Sequence, residues 1–519
     1  MNVNQKTTIL KSAAILAFFT LLSRLVGLYR DHLLAGKFSI GETLDTYYVA
    51  FRLPDLVFNL LILGTLSVAF IPVFTDYFIK DKKEANSIAN TILSVTFFGM
   101  SVVCLVLYVF VPQITHLMAP GFSGKQFDDT VMLTKIFLLS PIIFTISSVF
   151  GSVLNALRRF VLVSLAPIIY NFGIIFGVVY LYPIYGIKGL AYGVILGALL
   201  HLCIQMFGAL ASGFKLKPNL DFKNPGVRKI AKLFVPRILG IDNSQISLLV
   251  ASIIGTTLMS GTVSGFNLAN NIQAVAIGMF GISFATAAFP DLSEHFSRED
   301  HQKFGETLSK TVVNILFFLI PISVLLILLR AQIVRVVLGS GNFDWQATKL
   351  TANMLGIFAV SVFAQGLSPL FSRAFYARQN TLTPVLVGLF SLGMNVLFSI
   401  FLSRTLGAYG IIWGFTISSL LNAFLLYLLL TFKVKDFDSY YIFKSSAKII
   451  LASAMLAAVT YISLQVFASH FGNNTVITIF SQGFLAGIAG LAIYFAAAVA
   501  LDIKEAKSAL GVVRRRFLR

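Results

Sequence analysis

The chain has 519 residues, 57% of them hydrophobic and 12% charged, and carries a formal net charge of +19. About 25% charged residues is usual for a soluble domain; this composition therefore excludes a soluble enzyme or a nucleic-acid-binding domain as the main body. Apolar runs of about 20 residues recur from end to end, the length that crosses a bilayer as a helix, whereas an outer-membrane barrel shows short alternating segments. The fold class is all-α, polytopic and membrane-embedded.

Apolar runs set against charged breaks predict about fourteen spans, near 12–36, 45–76, 86–117, 129–156, 160–182, 187–214, 227–258, 261–296, 304–329, 346–376, 381–403, 407–432, 443–467 and 475–501. The N-terminus resembles a signal peptide but lacks a small-residue cleavage site and runs on into the first span, so it is read as retained. Lysines and arginines collect in alternate breaks: Lys80, Lys82 and Lys83; Arg158 and Arg159; Lys215 to Lys232; Arg298 and Lys303; Arg373 and Arg378; Lys433 to Lys448. The opposite breaks hold mainly Lys37, Lys125, Lys188, Arg335 and Arg404. The positive-inside rule then places both termini in the cytoplasm. The terminal RRRFLR fits the same topology signal, with a grip on anionic lipid as the alternative.

The first two spans are the unusual ones. Between Ser23 and Pro72 they carry Arg24, Arg30, Asp31, Asp45, Arg52 and Asp55. A charge at the bilayer centre costs about 2.5–3.5 kcal/mol on insertion scales, so these groups belong at the interface or in a wet, protein-lined cavity. Gly27, Gly36, Pro54, Gly64 and Pro72 allow these helices to bend. Charges on bendable spans point to transport before chemistry. Cys104 and Cys203 lie in apolar helices, the six histidines lack ligand spacing, and no carboxylate pair or nucleophile–base arrangement is assembled, so neither a metal centre nor an enzyme is expected. The Gly-rich LGSGNFD, Leu338 to Asp344, is an outside loop without the lysine of a phosphate loop.

The chain also repeats itself. GIKGLAYG from Gly186 matches GAYGIIWG from Gly407 at an offset of 221, and Ser147, Phe150 and Ala156 match Ser368, Phe371 and Ala377 at the same offset. Leu165-Ala-Pro167 matches Leu382-Thr-Pro384, and the segment Pro72 to Phe78 matches Pro290 to Phe296. This predicts two parallel six-helix repeats, 1–218 as an N-lobe and 219–435 as a C-lobe, with 436–519 adding spans thirteen and fourteen and the basic tail. The glycines 186, 189 and 193 suit close helix packing.

The run SRLVGLYRDHLLAGKFSIGETLDTYYVAFRLPDL resembles the N-terminal signature of the MurJ/MviN lipid II flippases, of the multidrug and polysaccharide-lipid exporter superfamily. APGF (Ala119 to Phe122), NALRRF (Asn155 to Phe160), SQIS (Ser244 to Ser247) and FYARQNTLTP (Phe375 to Pro384) follow in the expected order, and the resemblance covers roughly residues 7 to 500. It implies two lobes around a cavity, a lipid-facing groove from the last two helices, and movement of undecaprenyl-pyrophosphate-linked peptidoglycan precursor (lipid II) from the inner to the outer leaflet by alternating access. It implies a bacterial inner-membrane protein, with membrane lipid and the cell-wall synthesis machinery as partners and no nucleic acid.

On that resemblance Arg24, Arg30 and Arg52 match cationic positions, Arg24 for pyrophosphate contact or an ion pair within its lobe. Arg30 is read as substrate contact or as paired with Asp31 or Asp45, the two acids assigned to gating. The family's arginine pair and acid after the LP of span two are replaced by Phe58, Asn59 and Leu63, and a span-eight arginine by Asn271. Asn59, Asn270, Asn271 and Gln273 remain as hydrogen-bonding groups. Asp242 in span seven, with Asn395 and Thr416, is a candidate proton or sodium site; an ion pair with Arg237 is the alternative. No nucleotide motif is present, so an ion gradient, the membrane potential or the substrate gradient is expected to drive transport, with no cofactor. The neutral positions leave open an exporter of another lipid-linked glycan or amphiphile, or a non-transporting scaffold of the same fold; a drug antiporter fits the cationic first span poorly.

Overall fold

The computed structural model describes residues 3–62, 66–238, 243–434, 437–471 and 475–507, with side chains in the first helix from Phe18 onward. The described residues are mostly helical and contain no strand. In a bilayer no water satisfies backbone groups, so each spanning segment must bond to itself.

In chain order the helices are α1 (Val3–Phe38), α2 (Glu42–Leu61), α3 (Leu66–Lys80), α4 (Lys82–Met118), α5 (Gly124–Phe137), α6 (Leu139–Ala156), α7 (Phe160–Phe176), α8 (Tyr182–Tyr185), α9 (Ile187–Ala211), α10 (Pro225–Ile238), α11 (Asn243–Thr256), α12 (Thr262–Ala276), α13 (Ser283–Ser297), α14 (His301–Leu328), α15 (Arg330–Leu338), α16 (Trp345–Ala359), α17 (Val362–Ala377), α18 (Leu382–Leu406), α19 (Ala408–Lys433), α20 (Ser439–Phe471) and α21 (Val476–Ala500). Short π segments, Gly177–Leu181 and Ile277–Ile282, join α7 to α8 and α12 to α13.

Ten of these spans are long and apolar enough to cross a membrane, and α16 with α17, bent by 45°, makes an eleventh. The other three expected spans are the two charged ones at the start and span seven, which holds Asp242. Span one is α1; span two holds α2 and α3, and span seven α10 and α11, with residues 63–65 and 239–242 outside the described ones. The bend at Ala359–Val362 contains neither glycine nor proline; there Val360 and Ser361 bond back three residues, to Ile357 and Phe358.

The chain forms two compact units, residues 1–263 and 264–519. In the first, Leu53, Val57, Phe70, Phe74, Ile88, Phe150 and Val153 form a continuous core. Helices α10 and α11 pack within this unit, against α2, α3 and α4. The 215–221 segment is strapped along α4: Asn90 donates to the Lys215 carbonyl at 2.8 Å and accepts from the Lys217 N–H at 2.9 Å. In the second unit Phe266, Phe358 and Phe415 meet edge to face, and α20 packs on α14 and α21. The Tyr494 hydroxyl of α21 donates to the Phe317 carbonyl of α14 at 2.6 Å. Outward stripes such as Phe98, Val102, Leu105 and Val109 on α4 are more than half exposed, as suits a face solvated by lipid tails.

The internal repeat is built into local geometry. Gly186 and Gly407 both adopt a left-handed φ, 60° and 55°, just before α9 and α19. A Cβ on Gly189 would meet the Leu181 carbonyl oxygen at 2.3 Å, and one on Gly410 the Leu402 carbonyl oxygen, also at 2.3 Å. The C-termini of α6 and α17 carry the same cap: Arg158 and Gln379 are left-handed with φ 57°, and Arg159 and Asn380 each bond back five residues. The Asp76–Lys80 pair at 3.0 Å recurs as Glu294–Arg298 at 2.8 Å. Asp81 and Asp300 then cap α4 and α14. The Asp300 carboxyl, hydrogen-bonded and paired with Lys303 at 2.7 Å, is held below its ordinary range.

Helices α7 and α9 pack through glycines. A Cβ on Gly193 would lie 2.4 Å from Gly177 Cα, and one on Gly173 2.2 Å from Gly197 Cα. Without a hydrophobic force between helices in lipid, such backbone approach supplies the packing. Gly193→Leu is expected to lower the thermal stability of the purified protein by an overpacking penalty of about 1–3 kcal/mol or more. Gly99→Leu, at a glycine where an added Cβ would meet no neighbouring helix or side chain within 4 Å, is the matched control. Equal melting temperatures for the two variants would refute the close-packing account.

Candidate functional site

The first unit brings Arg30, Asp31, Arg52 and Asp55, four of the sequence-marked charges of α1 and α2, near one another. Arg30 pairs with Asp31 at 2.7 Å through Nη2 and donates through Nε at 3.0 Å to the same carboxylate oxygen. Its Nη1 donates to the Asn171 side chain of α7 at 3.0 Å. The Asn171 amide is itself fixed by donating to the Pro167 carbonyl at 2.9 Å. Asp31 is 2% exposed, and among the described ion pairs it is the one buried acid. Tyr47 and Tyr48 lie within electrostatic reach of Arg30, and Asp55 within reach of Arg52 and Arg30. The Tyr48 hydroxyl is buried with no hydrogen-bond partner among the described residues. Arg24 is half-buried two turns before Asp31, on the same helical face.

Arg52 reaches α11, where its Nε donates to Ser252 at 2.7 Å. Asn59, one of the neutral replacements, donates to the Asp55 carbonyl of its own helix at 2.7 Å. Phe58 packs against Phe144 at a ring separation of 5.5 Å; Leu63 lies outside the described residues. Asp45 is 2% exposed and accepts from the Gly261 N–H at 2.7 Å. That bond pins the loop before α12 beside the α1–α2 loop. Gly261 has a left-handed φ of 88°, and a Cβ there would press on Ile40 at 3.3 Å. The APGF motif abuts the same place: Gly121 lies so close to α11 that a Cβ would sit 1.9 Å from the Thr256 carbonyl oxygen.

The second unit contributes amides. Gln273, fully buried, donates to Asn270 at 3.1 Å and exchanges bonds with Gln365 of α17, which donates to it at 3.2 Å and to Ser361 at 2.9 Å. Asn271 is half-buried on the next helical position. Asn395 donates to Ser418 at 3.3 Å, and Thr416 to the Ile357 carbonyl at 3.2 Å. Asp242, the carboxylate proposed for cation coupling, lies outside the described residues. No group of three or more His, Cys, Asp or Glu side chains suited to a metal occurs among the described residues.

Sequence reasoning missed Asn171 and Gln365. Each is a lone amide in an apolar helical run, YNFG and FAQG, and that is a usable signal, because polar side chains in membrane helices hydrogen-bond across to neighbouring helices.

A charged pair of helices in one unit and an amide cluster in the other, on a chain of this span order, can be compared with known proteins. The family model described as "Lipid II flippase MurJ" matches residues 34–481. The chain belongs to the MurJ family.

Among curated MurJ relatives, a "Probable lipid II flippase MurJ" of Haemophilus influenzae is 29% identical over 467 residues, 85% of this chain and 90% of that one. Its counterpart in Rickettsia prowazekii is 25% identical over 499 residues, 96% and 98% of the two chains. The solved structure of a "Lipid II flippase MurJ" in an inward closed conformation superposes with a TM-score of 0.79 at 24% identity, covering 98% of this chain and all of that one. A multidrug-resistance MATE transporter in an inward-facing conformation shares the fold more loosely, with a TM-score of 0.67 at 15% identity over 80% of this chain. Membership of MurJ, a family of flippases, makes this chain a multi-pass transporter of the bacterial inner membrane.

Proposed function

We propose that this chain translocates lipid II, the undecaprenyl-pyrophosphate-linked peptidoglycan precursor, from the inner to the outer leaflet. The observation that carries the reading is the set of arginines held within α1 and α2 in a chain matched to the MurJ model from residue 34 to residue 481. A pyrophosphate bearing a disaccharide cannot cross hydrocarbon, while its polyprenyl tail is at home there. Charge-assisted hydrogen bonds from guanidinium groups replace the water that the head must shed. Arg24, Arg30 and Arg52 are the candidate pyrophosphate contacts, three guanidinium groups carried by one pair of helices. An ion gradient or the membrane potential is the proposed driving force, and the cation distribution supports cytoplasmic termini.

Expressed in bacteria depleted of their own lipid II flippase, the chain is expected to restore lipid II on the outer leaflet, and Arg24→Ala at equal membrane abundance to return it to the depleted level. Normal exposure with Arg24→Ala would remove Arg24 from the substrate path. No restoration by the inserted, folded chain would remove lipid II as its cargo.

A further inference from the structure

The outside Gly-rich loop, Leu338 to Asp344, has no part in the proposed route, yet it is built with care. It turns through Gly341 at a φ of 50°, buries Phe343 at 1% exposure, and ends in Asp344, whose carboxylate caps α16 by accepting from the Ala347 N–H at 2.7 Å. The product of this folding is a held arginine. Arg335 Nη1 donates to the Phe343 carbonyl at 2.7 Å, and Gly339 is required beneath it, since a Cβ there would meet Arg335 Cδ at 2.7 Å. Arg335 is also one of the few cations on the side that the charge distribution assigns to the outside.

The held guanidinium lines a pocket of about 370 Å³ between α15, α16 and α21, together with Gln332, Trp345, Thr475 and Gln482. That volume lies in the range of small-molecule sites. Trp345 stands at the rim, 58% exposed, and Gln482 lies at depth, 2% exposed. Helix α21 closes on α15 so tightly that a Cβ on Gly483 would come within 3.0 Å of Gln332 Cβ. Spans thirteen and fourteen lie outside the internal repeat, so the first repeat has no counterpart of this wall.

We propose that this pocket binds a phosphate-bearing, hydroxyl-rich lipid headgroup. A braced guanidinium presents its remaining N–H groups as a fork that suits phosphate oxygens. The Gln332 amide and Thr475 hydroxyl suit a polyol or sugar, and the exposed indole offers a flat apolar face to one side of a sugar ring while anchoring the helix end at the interface. The headgroup chemistry is shared by a bulk anionic phospholipid and by a translocated lipid-linked saccharide. The site uses none of the residues of α1 and α2 and stands whatever those helices carry.

The chain has two tryptophans, so Trp413→Phe leaves Trp345 as sole reporter. The full-length protein in phosphatidylcholine nanodiscs is titrated with short-chain phosphatidylglycerol, short-chain phosphatidylcholine, or a short-prenyl pyrophosphate-linked disaccharide, and Trp345 emission is read. A saturable change with either anionic probe and none with phosphatidylcholine is expected; the anionic probe that gives it identifies the source. Arg335→Gln is expected to raise the half-saturation concentration about tenfold or more. Gln332→Leu, which leaves the loop brace intact, should weaken binding several-fold and carries the test if Arg335→Gln lowers the melting temperature. No saturable response to either anionic probe, an equal response to phosphatidylcholine, or binding indifferent to both substitutions would overturn the proposal.

Discussion

Asp31→Ala is expected to destabilise the protein by about 3–5 kcal/mol, the usual result of leaving one member of a buried ion pair behind. Arg30 would keep the Asn171 contact but lose the carboxylate that takes both its Nε and Nη2 bonds. The readout is thermal unfolding in detergent together with the folded fraction recovered from membranes. The companion variant Arg30→Gln/Asp31→Asn removes both charges and is expected to recover most of the lost stability, because a neutral pair of similar volume is often no worse than a buried ionic one. Transport by that double variant then separates two roles for Arg30. Restored stability without lipid II exposure assigns Arg30 to the substrate or the cycle; restored stability with normal exposure makes the pair a structural element only. Asp31→Ala as stable as the parent would mean that the pair does not hold α1 in place.

Gly121→Ala is the second large effect. The added methyl would lie 1.9 Å from the Thr256 carbonyl oxygen and 2.8 Å from Thr257 Cα, so no side chain can yield to admit it. The end of α11 has to move, and with it the Met259–Thr262 turn and the Gly261 N–H that Asp45 accepts from. A hydrogen bond to a charged group contributes about 1.5–3 kcal/mol, and overpacking adds about 1–3 kcal/mol. The expected outcome is an inserted protein that no longer exposes lipid II, since the strain falls on the end of α11 and the turn after it rather than on the apolar length of any span. Asp45→Asn keeps the shape and should impair transport less than Gly121→Ala. Full activity of Gly121→Ala would show that this junction does not need to be as tight as the structure draws it.

Gly189 and Gly193 were readable as packing glycines, since each lies against the backbone of a neighbouring segment; Gly186, read the same way, instead makes the left-handed turn before α9 and has nothing beside it to pack on. The adjacency of Arg30 and Asp31 pointed to their pairing. Asn171, which completes the contact, lies 141 residues away and is brought there by α7. The partner of Asp45 could not be read at all, because it is a backbone N–H and every residue but proline has one. Likewise Ser252 is an ordinary serine until Arg52 reaches it. The bend in span ten falls in Ala-Val-Ser-Val, without glycine or proline, where tertiary packing alone decides it. Asn59, read as a substrate group, also donates to a carbonyl of its own helix. An amide one turn beyond a backbone carbonyl has that option always at hand.

The segment joining the two repeats carries a consequence for how such a chain came about and how it is to be taken apart. A connector between duplicated halves ordinarily drifts, since nothing holds it. Here Asn86, Asn90 and Thr91 each engage the backbone of the 215–221 segment, and Asn219 donates to Ser87 at 3.0 Å. The seam between the repeats is sewn into the fabric of one half. Anyone dividing this gene into two co-expressed pieces would do well to leave that seam uncut, because severing it unpicks stitches on a helix that belongs wholly to the first piece.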